Sequence, residues 1–252
     1  MPRIINLRSM QTTIVIPCYN EAQRLDCSTF ADFASHNPDI QFLFVNDGSA
    51  DDTLSILQKL AQEHSNIQYL DLPTNGGKAE AVRQGMLYAT KNFDSEYTGF
   101  WDADLATPLW EIPNFIKIIS EKNFDVVTGL RLARLGANIK RKKSRHYLGR
   151  CFATTASMVL HLPVYDTQCG AKLYKSEIAK NLFEQAFITK WLFDVEILAR
   201  YIQHFGTQMA EEKIYEYPLW SWGDVHGSRL KTKDFIKGPY ELWKIKKTYK
   251  TK

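Results

Sequence analysis

The chain reads as an α/β protein, a three-layer sandwich around a mostly parallel central sheet, and three observations predict it. Short β-branched apolar runs recur through the first half, each is followed by a segment of helical periodicity, and polar residues gather where each run ends. Strands that are apolar throughout must be buried on both faces, which calls for helices above and below the sheet. At 252 residues, with 44% hydrophobic and 13% aromatic content, the chain can bury a sizeable core.

The elements follow in order. Thr12 to Pro17 (TTIVIP) predicts a strand, and residues 21–35 predict a helix that stops before Asn37-Pro38. QFLFVND (41–47) predicts a second strand, with a helix from Asp51 to about Glu63. NIQYLDL (66–72) predicts a third, with a helix from Lys78 to about Lys91. YTGFWDAD (97–104) is the fourth, a helix starts near Pro108, and FDVVTG (124–129) is the fifth. Residues 130–145 are too basic and too weakly patterned for a core element and read as a mobile loop. A weakly charged helix over 146–161 comes next, suited equally to a core or to a membrane interface. The remainder predicts a strand at 170–174, a helix from Phe193 to His204 and a last strand within 209–219. No low-complexity linker interrupts the pattern. Residues 1–225 are therefore read as one domain and 226–252 as a basic C-terminal extension.

The formal charge of +4 hides an asymmetry. Residues 131–150 carry +8 and residues 226–252 carry +7, which leaves the rest near −11. Two basic segments suit an anionic partner such as a phosphate-bearing lipid, a membrane surface or nucleic acid, although the terminal one has the composition of an idle tail as well. The four cysteines have no CxxC spacing, so neither a zinc site nor a disulfide framework is expected, and a reducing, cytoplasmic setting fits. No stretch reaches the ~20 apolar residues that span a bilayer, so any membrane contact is expected to be peripheral.

Polar clusters at four strand ends suggest chemistry. Pro17, Tyr19, Asn20 and Glu21 follow the first strand. At the second, Asp47 can accept from ribose hydroxyls or a base N–H, with Gly48 permitting the turn and Ser49 following. Alone, Asp-Gly-Ser is an ordinary turn before a helix, and Ser49 with Asp52 has capping-box spacing. At the third, Gly77 and Lys78 open a helix and offer backbone N–H groups, a positive dipole end and an ammonium to phosphate. The glycine spacing is not that of a P-loop. At the fourth, Asp102-Ala103-Asp104 sets two carboxylates on one side of an extended segment, a spacing that suits a hard cation held against a diphosphate.

The order PxYNE (17–21), NDGSxDDT (46–53), NxGK (75–78) and DAD (102–104) resembles the inverting, GT-A-fold glycosyltransferases of family 2. GLR (129–131), DTQCGAKLY (166–174), WLFDVEIL (191–198) and EYPLWSWGDVHGSRLK (216–231) extend the resemblance to the dolichyl-phosphate β-glucosyltransferases. Mannosyl relatives usually have Ser-Gly where Gln168-Cys169-Gly170 stands and Gln where Ala106 stands, which favours glucose and UDP here.

The resemblance implies a GT-A sandwich, a nucleotide-sugar donor and a lipid-phosphate acceptor. It further implies that Pro17, Glu21 and Asp47 hold the nucleotide, with Lys78 and Gln168 near the donor, and that Asp102 and Asp104 bind Mg²⁺ or Mn²⁺. Arg131, Arg145, Ser228 and Arg229, with Arg134, Arg150 and Lys231 as further candidates, are expected to clamp the acceptor phosphate, since arginine offers planar bidentate donors. Asp194 is expected to orient sugar or acceptor, and to act as a base only toward a hydroxyl. The alternative within enzymes is a soluble transferase acting on a glycan hydroxyl, with GDP-mannose a weaker donor candidate. Nucleic-acid binding is disfavoured because no recognition motif accompanies the basic runs, and a nicotinamide oxidoreductase because GxGxxG is absent.

Overall fold

The computed structural model describes residues 11–140, 143–223 and 232–249. The first half alternates strand and helix as expected: β1 (Thr12–Cys18), α1 (Cys27–His36), β2 (Ile40–Asp47), α2 (Thr53–Glu63), β3 (Ile67–Leu72), α3 (Lys78–Asn92) and β4 (Tyr97–Trp101). A 3₁₀ turn (Leu109–Glu111) leads into α4 (Ile112–Lys122) and β5 (Val126–Leu130). The second half contains β6 (Asn138–Lys140), α5 (Lys143–Leu160), β7 (Ala171–Lys175), α6 (Ser176–Phe183), α7 (Phe193–Phe205), α8 (Thr207–Lys213), β8 (Ile214–Pro218), β9 (Ser221–Gly223) and α9 (Thr232–Tyr249).

Seven strands form one sheet in the order β3-β2-β1-β4-β7-β5-β8, parallel except for β7, which runs antiparallel between β4 and β5. Alternation along each strand sorts the core into two layers. Ile14 and Ile16 of β1 and Phe42 and Phe44 of β2 face one layer, under α1, α2 and α4. Val15, Leu43 and Val45 face the other, under α3, α6 and α7, which α5 and α9 also join.

Several sequence expectations need correction. The first helix starts at Cys27, not at residue 21: the N–H groups of Asn20, Glu21 and Ala22 are captured by Ser49, Thr53 and Asp51, and Asp26 caps α1 by accepting from Thr29 N. Helix α2 starts at Thr53 with Asp52 at its N-cap, so Ser49 does not form a capping box with Asp52. Among the described residues of the loop expected over 130–145, residue 134 and residues 138–140 are pinned instead. Arg134 donates to the carbonyls of Leu219 and Pro218 and lies 4.7 Å over the Trp220 ring, and β6 pairs with β9. Within the terminal basic segment, helix α9 packs on the domain, with Leu242, Ile245 and Tyr249 in the core. On α5, Ala153, Ala156 and Leu160 are buried while Cys151, Thr154 and Met158 face outward. No helix among the described residues is long and apolar enough to cross a membrane.

Candidate active site

The strand order reverses between β1 and β4, and a crevice opens at the carboxyl ends of parallel strands at such a point. The four polar clusters meet there because β1, β2, β3 and β4 are parallel neighbours in register.

The side of the crevice formed by β1, β2 and β3 is a set of interlocked loops. Asn20, at φ +48°, donates its N–H to Ser49 Oγ at 3.0 Å, and its own Oδ1 accepts from Ala50 N at 2.8 Å. Glu21, 8% exposed, pairs with Arg24 at 3.1 Å. Asp47 accepts from Gly76 N at 2.8 Å and Gly77 N at 2.9 Å, one bond to each oxygen. The Gly77 N–H expected to meet a phosphate is thus spent on Asp47, whose oxygens keep lone pairs for a ligand. Gly48 sits at φ +59°, and a β-carbon there would lie 2.6 Å from Asn75 N, so only glycine lets the second loop pass the third. Pro17 and Tyr19 are half-buried beside these loops.

At the end of β4, Lys78 reaches across from the start of α3 to pair with Asp102 at 2.5 Å. Ala103 is buried, and Asp104 Oδ1 accepts from Ala106 N. Burial pushes the Asp104 carboxyl above its ordinary value, and the like charge of Asp102 pushes the same way. Burial opposes the charge on Lys78, but Asp102, Asp194 and Asp104 outweigh it and hold the ammonium above its ordinary value. Gly170 packs directly on Asp102, whose N–H donates to the Gly170 carbonyl, and a β-carbon there would overlap the carboxylate. The Gln168 amide nitrogen is buried without a protein partner. An orphaned donor at this position suits a phosphate or sugar oxygen.

Sequence reasoning missed the residue that organises this floor. Lys172, 3% exposed on β7, donates to Asp194 Oδ1 at 2.6 Å and to the carbonyls of Thr167 and Cys169 at 3.1 and 2.6 Å. A lysine inside an apolar central strand was the available signal, since such a charge requires a buried partner. Asp194, in the first turn of α7, is 6% exposed, and burial raises its carboxyl against the pull of Lys172 and Lys78. Three carboxylates (Asp102, Asp104, Asp194) face two ammoniums here, so the site carries surplus negative charge. Among the described residues no cluster of three or more metal-ligating side chains occurs, so a cation would complete its coordination from ligand oxygens or water.

The basic groups expected to clamp an acceptor are arranged differently. Arg131 spends one edge of its guanidinium on Asp166: Nε and one terminal nitrogen donate to the two Asp166 oxygens at 2.6 Å each, while the guanidinium lies 5.2 Å over Trp222. Arg134 is likewise engaged, as described above. Arg150 lies 4.5 Å over the Tyr165 ring. Ser228, Arg229 and Lys231 lie outside the described residues, and only the backbone of Arg145, in the first turn of α5, is described. Glu216, also missed, accepts from Tyr165 N and Asp166 N and so fixes the segment that leads to Gln168.

The sequence matches the glycosyl transferase family 2 pattern over residues 13–183. It is 31% identical to a dolichyl-phosphate beta-glucosyltransferase of Trichomonas vaginalis across 97% of this chain and 73% of that one. The enzymes of the same name from Dictyostelium discoideum and Homo sapiens are 28% and 27% identical, across 93% and 91% of this chain and 76% and 72% of theirs. Among solved structures, glucosyl-3-phosphoglycerate synthase from Mycobacterium tuberculosis with Mn²⁺ and UDP-glucose superposes at a TM-score of 0.67 and 14% identity, covering 95% of this chain and 79% of that one. A mannosyltransferase from Pyrobaculum calidifontis with GDP-Man and Mn²⁺ gives 0.59 at 17% identity, covering 87% and 58%. With this sheet order, this crevice and these matches, the chain is a GT-A-fold glycosyltransferase and belongs to glycosyl transferase family 2.

Proposed function

We propose that this enzyme moves glucose from UDP-glucose to a polyprenyl- or dolichyl-phosphate lipid carrier with inversion, at the cytoplasmic face of a membrane. The observation that carries the proposal is the group Asp102, Asp104 and Lys78 at the β1/β4 crevice, with Gly170 packed on Asp102. Likeness to dolichyl-phosphate beta-glucosyltransferases over more than nine-tenths of the chain supports the choice of sugar and acceptor.

The donor set fits a hard divalent cation: two carboxylates, one pushed up by burial, in a site with surplus negative charge. Asp102 and Asp104 would hold Mg²⁺ or Mn²⁺, which supplies charge neutralisation for the departing diphosphate. Asp47 accepts from the nucleotide, and the Gln168 amide donates to a sugar or phosphate oxygen. An acceptor phosphate oxygen attacks C1 of the sugar, the C1–O bond to UDP breaks, and UDP leaves with the electron pair. The attacking oxyanion is already ionised near neutral pH and needs no base. This agrees with Asp194, which is buried and tied to Lys172 as a positioning group.

The test is transfer of label from UDP-[¹⁴C]glucose into the organic phase with undecaprenyl or dolichyl phosphate, run with and without chelator. The expected result is lipid-linked label that needs Mg²⁺ or Mn²⁺ and does not form from GDP-mannose. Label confined to water-soluble glycans would overturn the acceptor, and turnover indifferent to chelator would overturn the metal.

A further inference from the structure

Helix α9 has two unlike faces. Leu242, Ile245 and Tyr249 point into the core, and Glu241 accepts from Trp191 N and Leu192 N at the start of α7, the helix end that carries Asp194. The opposite face exposes Lys237, Tyr240, Trp243, Lys246 and Lys247. Tyr240 is 61% and Trp243 54% exposed, their rings stack at 6.0 Å, and Lys247 lies 5.1 Å over the Trp243 ring. Among the described residues the exposed positions of α9 carry no acid, because its one described carboxylate, Glu241, is turned inward.

We infer that this face of α9 docks the enzyme onto an anionic lipid surface. Tryptophan and tyrosine rings settle at the headgroup level, where an apolar body and a polar edge are both satisfied. Lysines around them gain from a negative leaflet and extend past the rings to the phosphates. Burying two large rings that a soluble helix would leave in water accounts for a stacked pair that is more than half exposed. The adjoining helix α5 turns Cys151, Thr154 and Met158 outward, again without an acid. Through Glu241 the docked helix is tied to the end of α7 beside the site, so docking brings the crevice close to membrane-held acceptors. The purpose of the surface rests on the lipid-carrier reading above; the binding itself does not.

Co-flotation with phosphatidylglycerol/phosphatidylcholine vesicles, without donor or acceptor, tests it. The wild-type enzyme is expected to float with anionic vesicles and to stay behind with phosphatidylcholine alone. Tyr240→Ala/Trp243→Ala should abolish flotation, and Lys246→Gln/Lys247→Gln should weaken it on the order of five-fold per lysine. Circular dichroism and transfer to a short-chain, water-soluble prenyl phosphate should be unchanged in both variants. Flotation that survives the aromatic pair, equal binding to neutral vesicles, or preference for RNA over vesicles would overturn the inference. Vesicle binding without transfer to any prenyl phosphate would leave the docking surface standing and remove the proposed acceptor.

Discussion

Between β1 and β4, charged side chains stand at strand ends, held by backbone N–H groups or by a single half-exposed partner, as Asp47 is by Gly76 and Gly77 and Asp102 is by Lys78. From β5 onward they are buried in closed pairs: Arg131 with Asp166, Lys172 with Asp194, and Arg200 with Glu196. The first arrangement leaves oxygens with spare lone pairs and so keeps binding capacity. The second consumes that capacity in fixing loops to helices, because an ion taken out of water must be fully satisfied. Open carboxylates are thus concentrated in the first half and closed ion pairs in the second, although both contain the same residue types and Gly170 reaches across to Asp102.

Substitutions can break or sharpen that division. The largest effect is expected for Asp104→Ala, which should lower sugar transfer by on the order of a thousand-fold, about 4 kcal/mol of barrier, while the melting temperature stays within a few degrees. Calorimetry on chelator-stripped protein should show UDP uptake that responds to added Mn²⁺ in the wild type and not in the variant. Lys172→Met should instead cost about 3 kcal/mol of stability by stranding buried Asp194, a fall of about 6–12 °C in melting temperature. Restoring charge balance with Asp194→Asn in the same chain should recover part of the loss. A Lys172→Met protein that melts like the wild type would erase the contrast between the halves.

Gly170→Ala sharpens the comparison at the seam between them. Its β-carbon would displace the Asp102 carboxylate, so transfer should fall about a hundred-fold with a smaller stability change, measured as kcat at saturating donor. The smallest effect belongs to Asp26→Ala, which removes the exposed N-cap of α1 and none of these charge pairs. It should cost about 1 kcal/mol in urea unfolding and leave turnover untouched.

The same division explains what could be read from the residues in order. The βαβ alternation and the clusters at 17–21, 46–49, 77–78 and 102–104 were legible because each strand and the turn after it are contiguous, and parallel packing brings such turns together at one edge. The start of α1 is not legible locally, because Ser49, Asp51 and Thr53, about thirty residues away, capture the N–H groups of residues 20–22. The pairing of Arg131 is hidden for a related reason: its partner Asp166 lies 35 positions further on.

The sequence alone therefore determined the α/β class, the family and the carboxylates of the donor crevice, since these depend on local periodicity and short motifs. Tertiary structure decided which charges are spent and which remain available. It placed Lys172 under Asp194, turned Glu241 inward to hold the start of α7, and left Trp243, Lys246 and Lys247 facing out. Pairing of buried charges depends on the desolvation of both partners at once, and only the packed chain specifies which two meet.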